Sequence, residues 1–507
     1  MDVLGNLMDG FAIALSWQNL GLALIGCLLG TMIGALPGLG PSNGVAILIP
    51  LAFTLGLPPT PAMILLTSVY YGAMYGGRIS SILLNIPGDE PAMMTTLDGY
   101  PMAQKGQAGE ALALSGLSSF IGAFFATIGL VLLAPQLIKI ALLFGPAEYF
   151  ALYGLAFATL GGLASRSQSK AVFAAMLGLA IAMVGVDGQT GVPRLTFGEV
   201  HLYDGIDFLV AIVGLFALAE VFIFIEHRHK NASKPPVSLG KVKIPFAMLN
   251  KVWGTLARST AIGFVAGILP GAGASLGSFL AYSWEKKISN KHKTFGTGDP
   301  RGVAAPEAGN NASAGGALVP MLALGVPGSG TTAVLLAMLM ALNITPGPLL
   351  FTNHPDVVWG LIAALFIGNI ALLLLNFPMV GIFVRVLRVP SHYLMPGVAM
   401  VSYIGIYGIS GSSFDLLVVT SFGLIGWLLR KFDVPLVPVI MGILLGNQME
   451  VNLRRALTIS DGDFMALISS PLAIGLWSFA IAGFAFPLIK GRIFTLKRRP
   501  DTLGTED

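Results

Sequence analysis

Charge is what this chain has least of. Asp, Glu, Lys and Arg together make up 11% of its 507 residues, where a soluble domain carries roughly 25%. So few charges cannot cover a water-facing surface of this size, and a mostly soluble fold is excluded. Cysteine is nearly absent as well. A single thiol, Cys27, rules out an intrachain disulfide and a cysteine-based metal cluster, and its apolar neighbours mark it as a packed core residue. The first 15 positions hold Asp2 and Asp9 but no Lys or Arg, so the basic region of a cleaved signal is missing and the first apolar run is expected as a mature helix. Strict polar–apolar alternation is lacking too, which excludes a transmembrane β-barrel.

What remains is apolar. Hydrophobic residues make up 55% of the chain, and the mean hydropathy is +0.80. Runs of about 20 apolar residues, enough to cross a bilayer core, recur along the whole length. The expected fold class is an all-α polytopic membrane protein. Between residues 226 and 258 the chain changes in kind: Arg228, Lys230, Lys234, Lys241, Lys243, Lys251 and Arg258 face a single acid, Glu226. The positive-inside rule makes this a cytoplasmic linker between two transmembrane halves, 1–225 and 259–490. The tail, 491–507, with Lys497, Arg498 and Arg499 after Lys490, reads as cytoplasmic by the same rule. Both basic runs adjoin membrane segments, so a nucleic-acid partner is not expected.

The apolar segments are interrupted twice by one motif. Gly34-Ala-Leu-Pro-Gly-Leu-Gly-Pro-Ser-Asn-Gly44 is repeated as Gly267-Ile-Leu-Pro-Gly-Ala-Gly-Ala-Ser-Leu-Gly277, with seven of eleven positions identical. Pro37 and Pro270 remove a backbone donor, and the surrounding Gly38, Gly40, Gly271 and Gly273 favour non-helical backbone. In a bilayer such backbone survives only where protein buries it or where it lines a cavity. Matching breaks in two halves point to a transporter's binding site. A second pair, Gly76–Gly88 and Gly316–Gly328, shares only four of thirteen positions, but each ends in Pro-Gly (Pro87-Gly88 and Pro327-Gly328) at a similar distance from the first break.

Basic flanks lie on both sides of the second break: Lys251 and Arg258 before it, Lys286, Lys287, Lys291 and Lys293 after it. The apolar pieces 259–269 and 274–284 are each about 16 Å long at 1.5 Å per residue, half of a core about 30 Å thick. A re-entrant hairpin fits both facts, and one kinked spanning helix is the alternative. The first break is approached from an end without basic residues, so from the opposite side. Two inverted-topology repeats are the expectation.

Small uncharged groups follow each break, where half-helix N-termini would offer free N–H groups and a positive dipole end to a carboxylate. Ser42, Asn43, Asn85, Gly88, Ser275, Gly328, Ser329, Thr331 and Thr332 are the expected substrate-binding set. Freed carbonyls around Pro37, Gly38, Gly40, Pro87, Pro270, Gly271, Gly273 and Pro327 could hold a cation. Arg78, near Tyr75, is a candidate charge partner for a substrate carboxylate or for Asp89. Glu220 and Asp415 are interfacial or ion-linked candidates, and Asn310-Asn311 could add amide contacts or cap a helix.

Two enzyme-like patterns carry less. Gly40–Gly44 and Gly273–Gly277 match G-x-S-x-G, but that elbow needs a strand before it and a histidine partner. Here it follows apolar helix, and the histidines lie in or beside polar connections. Gly325-Val-Pro-Gly-Ser-Gly-Thr-Thr332 resembles a P-loop with Thr331 where the phosphate-binding lysine belongs. Neither an enzyme, nor a catalytic residue, nor an ATP-driven pump is expected, and no metal or organic cofactor is implied.

Taken in order, the two Pro-Gly motifs, Tyr70-Tyr-Gly-Ala-Met-Tyr-Gly-Gly77, Leu84-Asn-Ile-Pro-Gly88, Leu97-Asp-Gly-Tyr-Pro-Met102 and Leu324-Gly-Val-Pro-Gly-Ser329 resemble the TctA family. That family supplies the large membrane subunit of the tripartite tricarboxylate transporters. The resemblance covers roughly residues 15–460. It implies a bacterial inner-membrane permease with a small TctB-like membrane subunit and a periplasmic TctC-like binding protein as partners. It also implies uptake of citrate-like carboxylates coupled to a cation, typically Na+, on an elevator-like fold with a moving domain and a scaffold. The alternative outside this class is a channel or a non-transporting structural subunit.

Overall fold

The computed structural model describes residues 2–36, 38–162, 167–227, 242–271, 273–289, 293–386 and 391–496. Pro37, most of the basic linker and the tail beyond 496 lie outside the described residues.

Helix dominates. The first half holds α1 (Val3–Ala14), α2 (Trp17–Ala35), α3 (Gly40–Thr54), α4 (Pro59–Leu84), α5 (Met93–Met102), α6 (Ala108–Ala141), α7 (Pro146–Gly162) and α8 (Gln168–Ala182). A short antiparallel hairpin of β1 (Gly185–Val186) and β2 (Pro193–Arg194) departs from the all-α expectation. Then α9 (Phe208–Val213) runs through a π turn at Gly214–Leu218 into α10 (Ala219–His227). The second half holds α11 (Phe246–Ile268), α12 (Gly273–Ser289), α13 (Pro300–Leu324), α14 (Gly330–Ala341), α15 (Leu350–Asn353) and α16 (Pro355–Val386). It ends with α17 (Ser391–Ser410), α18 (Ser413–Lys431), α19 (Leu436–Ile459) and α20 (Pro471–Leu496). Among the described residues, seven helical stretches are long and apolar enough to cross a membrane. This is a multi-pass membrane protein.

Two helices form the centre, α4 and α13, and nearly every residue of each is buried. Their sequences explain how. Gly, Ala and Ser recur at their contact positions and in their neighbours, and small residues let helix backbones approach closely where lipid offers no hydrophobic drive. A Cβ on Gly30 of α2 would lie 2.3 Å from the Val69 carbonyl of α4, and one on Gly263 of α11 would lie 2.2 Å from the Gly309 carbonyl of α13. Gly122 of α6 meets Ala308 of α13 in the same way. Outside this centre, α16 packs on α4 and α1 on α16, α8 packs on α19, and α10 packs on α18.

The second break is a helical hairpin. Arg258 and Thr255 of α11 both bond Glu285 of α12, at 2.8 and 2.9 Å, so the two helices run antiparallel from one turn. A single kinked helix is thereby ruled out. Its arms are longer than the apolar pieces read from sequence: α11 has 23 residues and begins at Phe246, inside the stretch expected as linker. The polar start of α11 extends the helix because Val252 and Leu256 are buried. At the first break, Ile33 of α2 still faces Gly44 of α3, after which α3 turns to pack on α4, α14 and α17.

Candidate functional site

Both Pro-Gly motifs of each half meet at one place, by the same backbone device. After Leu84 the chain turns in the left-handed region at Asn85 (φ 58°), and after Leu324 it does so at Gly325 (φ 70°). It then doubles back. The Gly88 Cα faces Gly77 and the Gly34 carbonyl, and the Gly328 Cα faces Ala317 and the Gly267 carbonyl. Gly38 N–H donates to the Gly88 carbonyl and Gly273 N–H to the Gly328 carbonyl, each at 3.1 Å. Gly38, Gly40, Gly271 and Gly273 have φ of 87°, 60°, 73° and 65°, a region in which a Cβ is strained.

The two halves then interlock. Ser42 at the start of α3 shares a 2.9 Å hydrogen bond with Thr331 at the start of α14. Ser275 at the start of α12 donates to Glu90, ahead of α5, at 3.3 Å. Gly40 faces the Asp89 Cβ, and Gly273 faces the Ser329 Cβ. All four interrupted segments therefore gather into one cluster, with helix starts presented on both sides of it.

Individual roles differ from the simple donor list. Ser329 and Thr332 form a reciprocal capping box: Ser329 Oγ accepts from the Thr332 N–H at 3.2 Å, and Thr332 Oγ1 accepts from the Ser329 N–H at 2.8 Å. Thr331 points to the other half instead. Asn43 Nδ2 donates to the Gly38 carbonyl across the break, and its Oδ1 accepts from Arg430, both at 3.4 Å. Pro270 presents its carbonyl to Thr159 of α7 at 2.5 Å. Asp89 Oδ1 accepts the Ala92 N–H at 3.0 Å, while its Oδ2 has no partner. Pro87 and Pro327 stand inside the non-helical turns between α4 and α5 and between α13 and α14.

Arg78 is placed away from Asp89. It is 2% exposed and spends its guanidinium on the Tyr75 carbonyl (2.8 Å), the Leu112 carbonyl (2.7 Å) and Ser115 (2.9 Å). Its helical position turns it toward α6, where Gly116 leaves room. Glu220 of α10 pairs with Arg430 of α18 beside the first break.

Sequence reading missed Glu307. Fully buried in α13, it accepts from Thr95 of α5 at 2.5 Å and Ser119 of α6 at 2.8 Å. A single acid flanked by Ala and Gly, with a proline before it, gives no periodic signal. Nor did sequence show Asp98, whose Oδ1 takes N–H groups from Gly296, Gly298 and Asp299 at 2.8–2.9 Å and whose Oδ2 takes the Tyr282 hydroxyl. These bonds tie α5 to the loop that starts α13. In that loop, burial alone would raise the Asp299 pKa, but its bonds to Arg301 and Thr294 hold it well below the ordinary carboxylate range.

Comparison with known proteins places the chain. Residues 20–441 match the model of the tripartite tricarboxylate transporter TctA family. A 52.8 kDa protein of uncharacterised function from the TAR-I ttuC' 3' region of Agrobacterium vitis is 39% identical over 491 residues, 96% of this chain and 97% of that protein. A second, from the TAR-II ttuC' 3' region of the same organism, is 35% identical over 245 residues, 48% of this chain and all of that protein. No solved structure matches. The chain belongs to the TctA family, and it is a membrane transporter subunit of tripartite tricarboxylate transport.

Proposed function

We propose that this subunit carries a tricarboxylate or related organic carboxylate across the bacterial inner membrane by secondary transport. The carboxylate binds at the four-segment cluster, between the starts of α3, α12 and α14 and the segment 85–90. One observation carries this reading: Ser42–Thr331 and Ser275–Glu90 join the interrupted segments of opposite halves. Helix starts and unwound backbone meeting at one point suit an anion and a cation together.

The matched backbone turns at Asn85 and Gly325 support a duplicated unit, and inverted topology is its proposed arrangement. The two hairpins with α4 and α13 would then move against a scaffold in an elevator-like cycle. Na+ is the proposed coupling ion. A TctB-like small membrane subunit and a TctC-like periplasmic protein are the proposed partners, the latter delivering substrate. The basic linker and the C-terminus would face the cytoplasm.

The test is counterflow in proteoliposomes with citrate and a panel of di- and tricarboxylates, with and without a Na+ gradient. Saturable exchange is expected, faster with inward Na+. Ohmic conductance would instead make the protein a channel, and no flux at all would make it a structural subunit. Ser275→Leu is expected to abolish exchange while the protein still reaches the membrane.

A further inference from the structure

Asn310 stands out among the buried polar groups. It is 1% exposed, yet neither its Oδ1 nor its Nδ2 has a hydrogen-bond partner. A buried amide with both ends bare is costly and calls for a ligand or ion. Its surroundings are defined by neighbours on α13. Three residues earlier, Glu307 bonds Thr95 of α5, and three residues later Ser313 Oγ donates to the Gly273 carbonyl at the second break, at 3.1 Å. Positions 307, 310 and 313 fall within one broad face of the helix.

The segment leading into α5 covers that face. Glu90 bonds Ser275, the Pro91 carbonyl accepts from Ser278 at 2.8 Å, and Thr95 reaches Glu307. The face of α13 that carries Asn310 is therefore bounded by the start of α12, through Ser313 and Gly273, and by residues 90–95, through Glu307 and Thr95. At the head of that segment stands Asp89, whose buried Oδ2 is likewise without a partner. Asp89 stands against Gly40 and Gly77 at the first break, and Asn310 lies one turn from Ser313, which bonds the second break.

We infer that Asn310 Oδ1 and Asp89 Oδ2 are ligands of a Na+ site, and that Asn310 Nδ2 donates to the transported carboxylate; the second clause rests on the function proposed above. A proton would satisfy Asp89 alone and leave the amide oxygen bare. One carboxylate and one neutral amide, all oxygen, suit a hard cation of low charge. Glu307 does not compete, because its two oxygens are already held by Thr95 and Ser119. One residue would then feel both ions, which is a direct route to coupling.

The experiment follows the Tm of the purified protein in detergent as NaCl replaces choline chloride at constant ionic strength. Wild type is expected to rise saturably with Na+. Asn310→Leu, close in volume, is expected to lose that rise while matching or exceeding wild type in choline, because the bare amide is gone. A merely structural amide predicts a lower Tm in choline instead. Asn310→Asp keeps an oxygen but no N–H, so it should keep the Na+ rise and raise KM for citrate exchange about tenfold or more.

If Asn310→Leu does not accumulate, Asn310→Ala gives the same readout. An undiminished Na+ rise in either variant, or none in wild type, overturns the cation site. An unchanged KM in Asn310→Asp overturns the anion contact. Failure of the transport reading looks different: wild type exchanges no carboxylate whatever its response to Na+, and the anion contact falls with it.

Discussion

Ser42 and Thr331 are 289 positions apart in the chain and 2.9 Å apart in the fold. Each stands at the start of a helix that follows a Pro-Gly break, and their hydroxyls meet across the boundary between halves. This contact turns two local interruptions into one site.

Removing either hydroxyl should therefore act on transport in a coupled way. Ser42→Ala and Thr331→Val are each expected to lower exchange efficiency about fivefold, on the order of 1 kcal/mol for one hydrogen bond. The double variant should lose little more than either single one. Initial rates of citrate counterflow for all four proteins check this, and fully additive losses would mean that the pair does not act as a unit.

Gly328→Ala tests the tight return of the chain. A new methyl would lie 2.7 Å from the Ala317 Cα and 2.8 Å from the Gly267 carbonyl, both backbone that cannot swing aside. Overpacking of this kind costs about 1–3 kcal/mol. The expected result is a lower Tm in detergent, with exchange falling at least as far. Gly411→Ala, where a Cβ meets open space but φ is positive, separates packing from backbone strain and should change Tm less.

Arg78 should behave as a structural residue. Arg78→Ala removes the guanidinium's bonds to the Tyr75 and Leu112 carbonyls and to Ser115, at about 1.5–3 kcal/mol per bond to a charged group. The amount of folded protein is expected to fall, while the molecules that do fold keep the KM of wild type. A raised KM with normal Tm would instead return Arg78 to the substrate.

Asp187, in the hairpin connection after α8, gives a pH signature. Its bonds to Arg454 (2.8 Å) and to the N–H groups of Gln189 and Thr190 hold its carboxyl far below the ordinary range. A depressed folded-state pKa contributes stability above the unfolded value, about 4, and loses it as pH falls through the folded one. Asp187→Asn should therefore lower Tm at pH 7, and the gap to wild type should close on acidification below pH 4. A gap independent of pH would assign the effect to packing.

Much of this was legible beforehand because it follows from local chemistry. The hairpin turn at Pro270–Gly271 is written in residues that cannot continue a helix, and the basic residues on its flanks indicated that both arms leave on one side. The start of α11 was not legible. Residues 246–258 read as charged linker, yet burial of Val252 and Leu256 against the rest of the fold keeps them helical.

The roles within the site show the same limit. Ser329 and Thr332 looked like free donors, and the structure uses them on each other. Arg78 is a candidate partner for a substrate carboxylate or for Asp89 by sequence, and its direction is decided by the room at Gly116 on α6. Glu307 had no sequence signal, since one acid in a run of small residues is equally consistent with a cap, an interface or a core.

By itself the sequence determined the membrane class and the four breaks, because hydropathy and the backbone preferences of Gly and Pro act over a few neighbouring residues. Only the tertiary structure decided that the breaks converge, that Ser42 meets Thr331, and that Asn310 is buried without a partner. Those facts depend on how α4 and α13 pack against helices far away in the chain. Close packing of small residues specifies such contacts through shape, and shape exists only once the chain has folded.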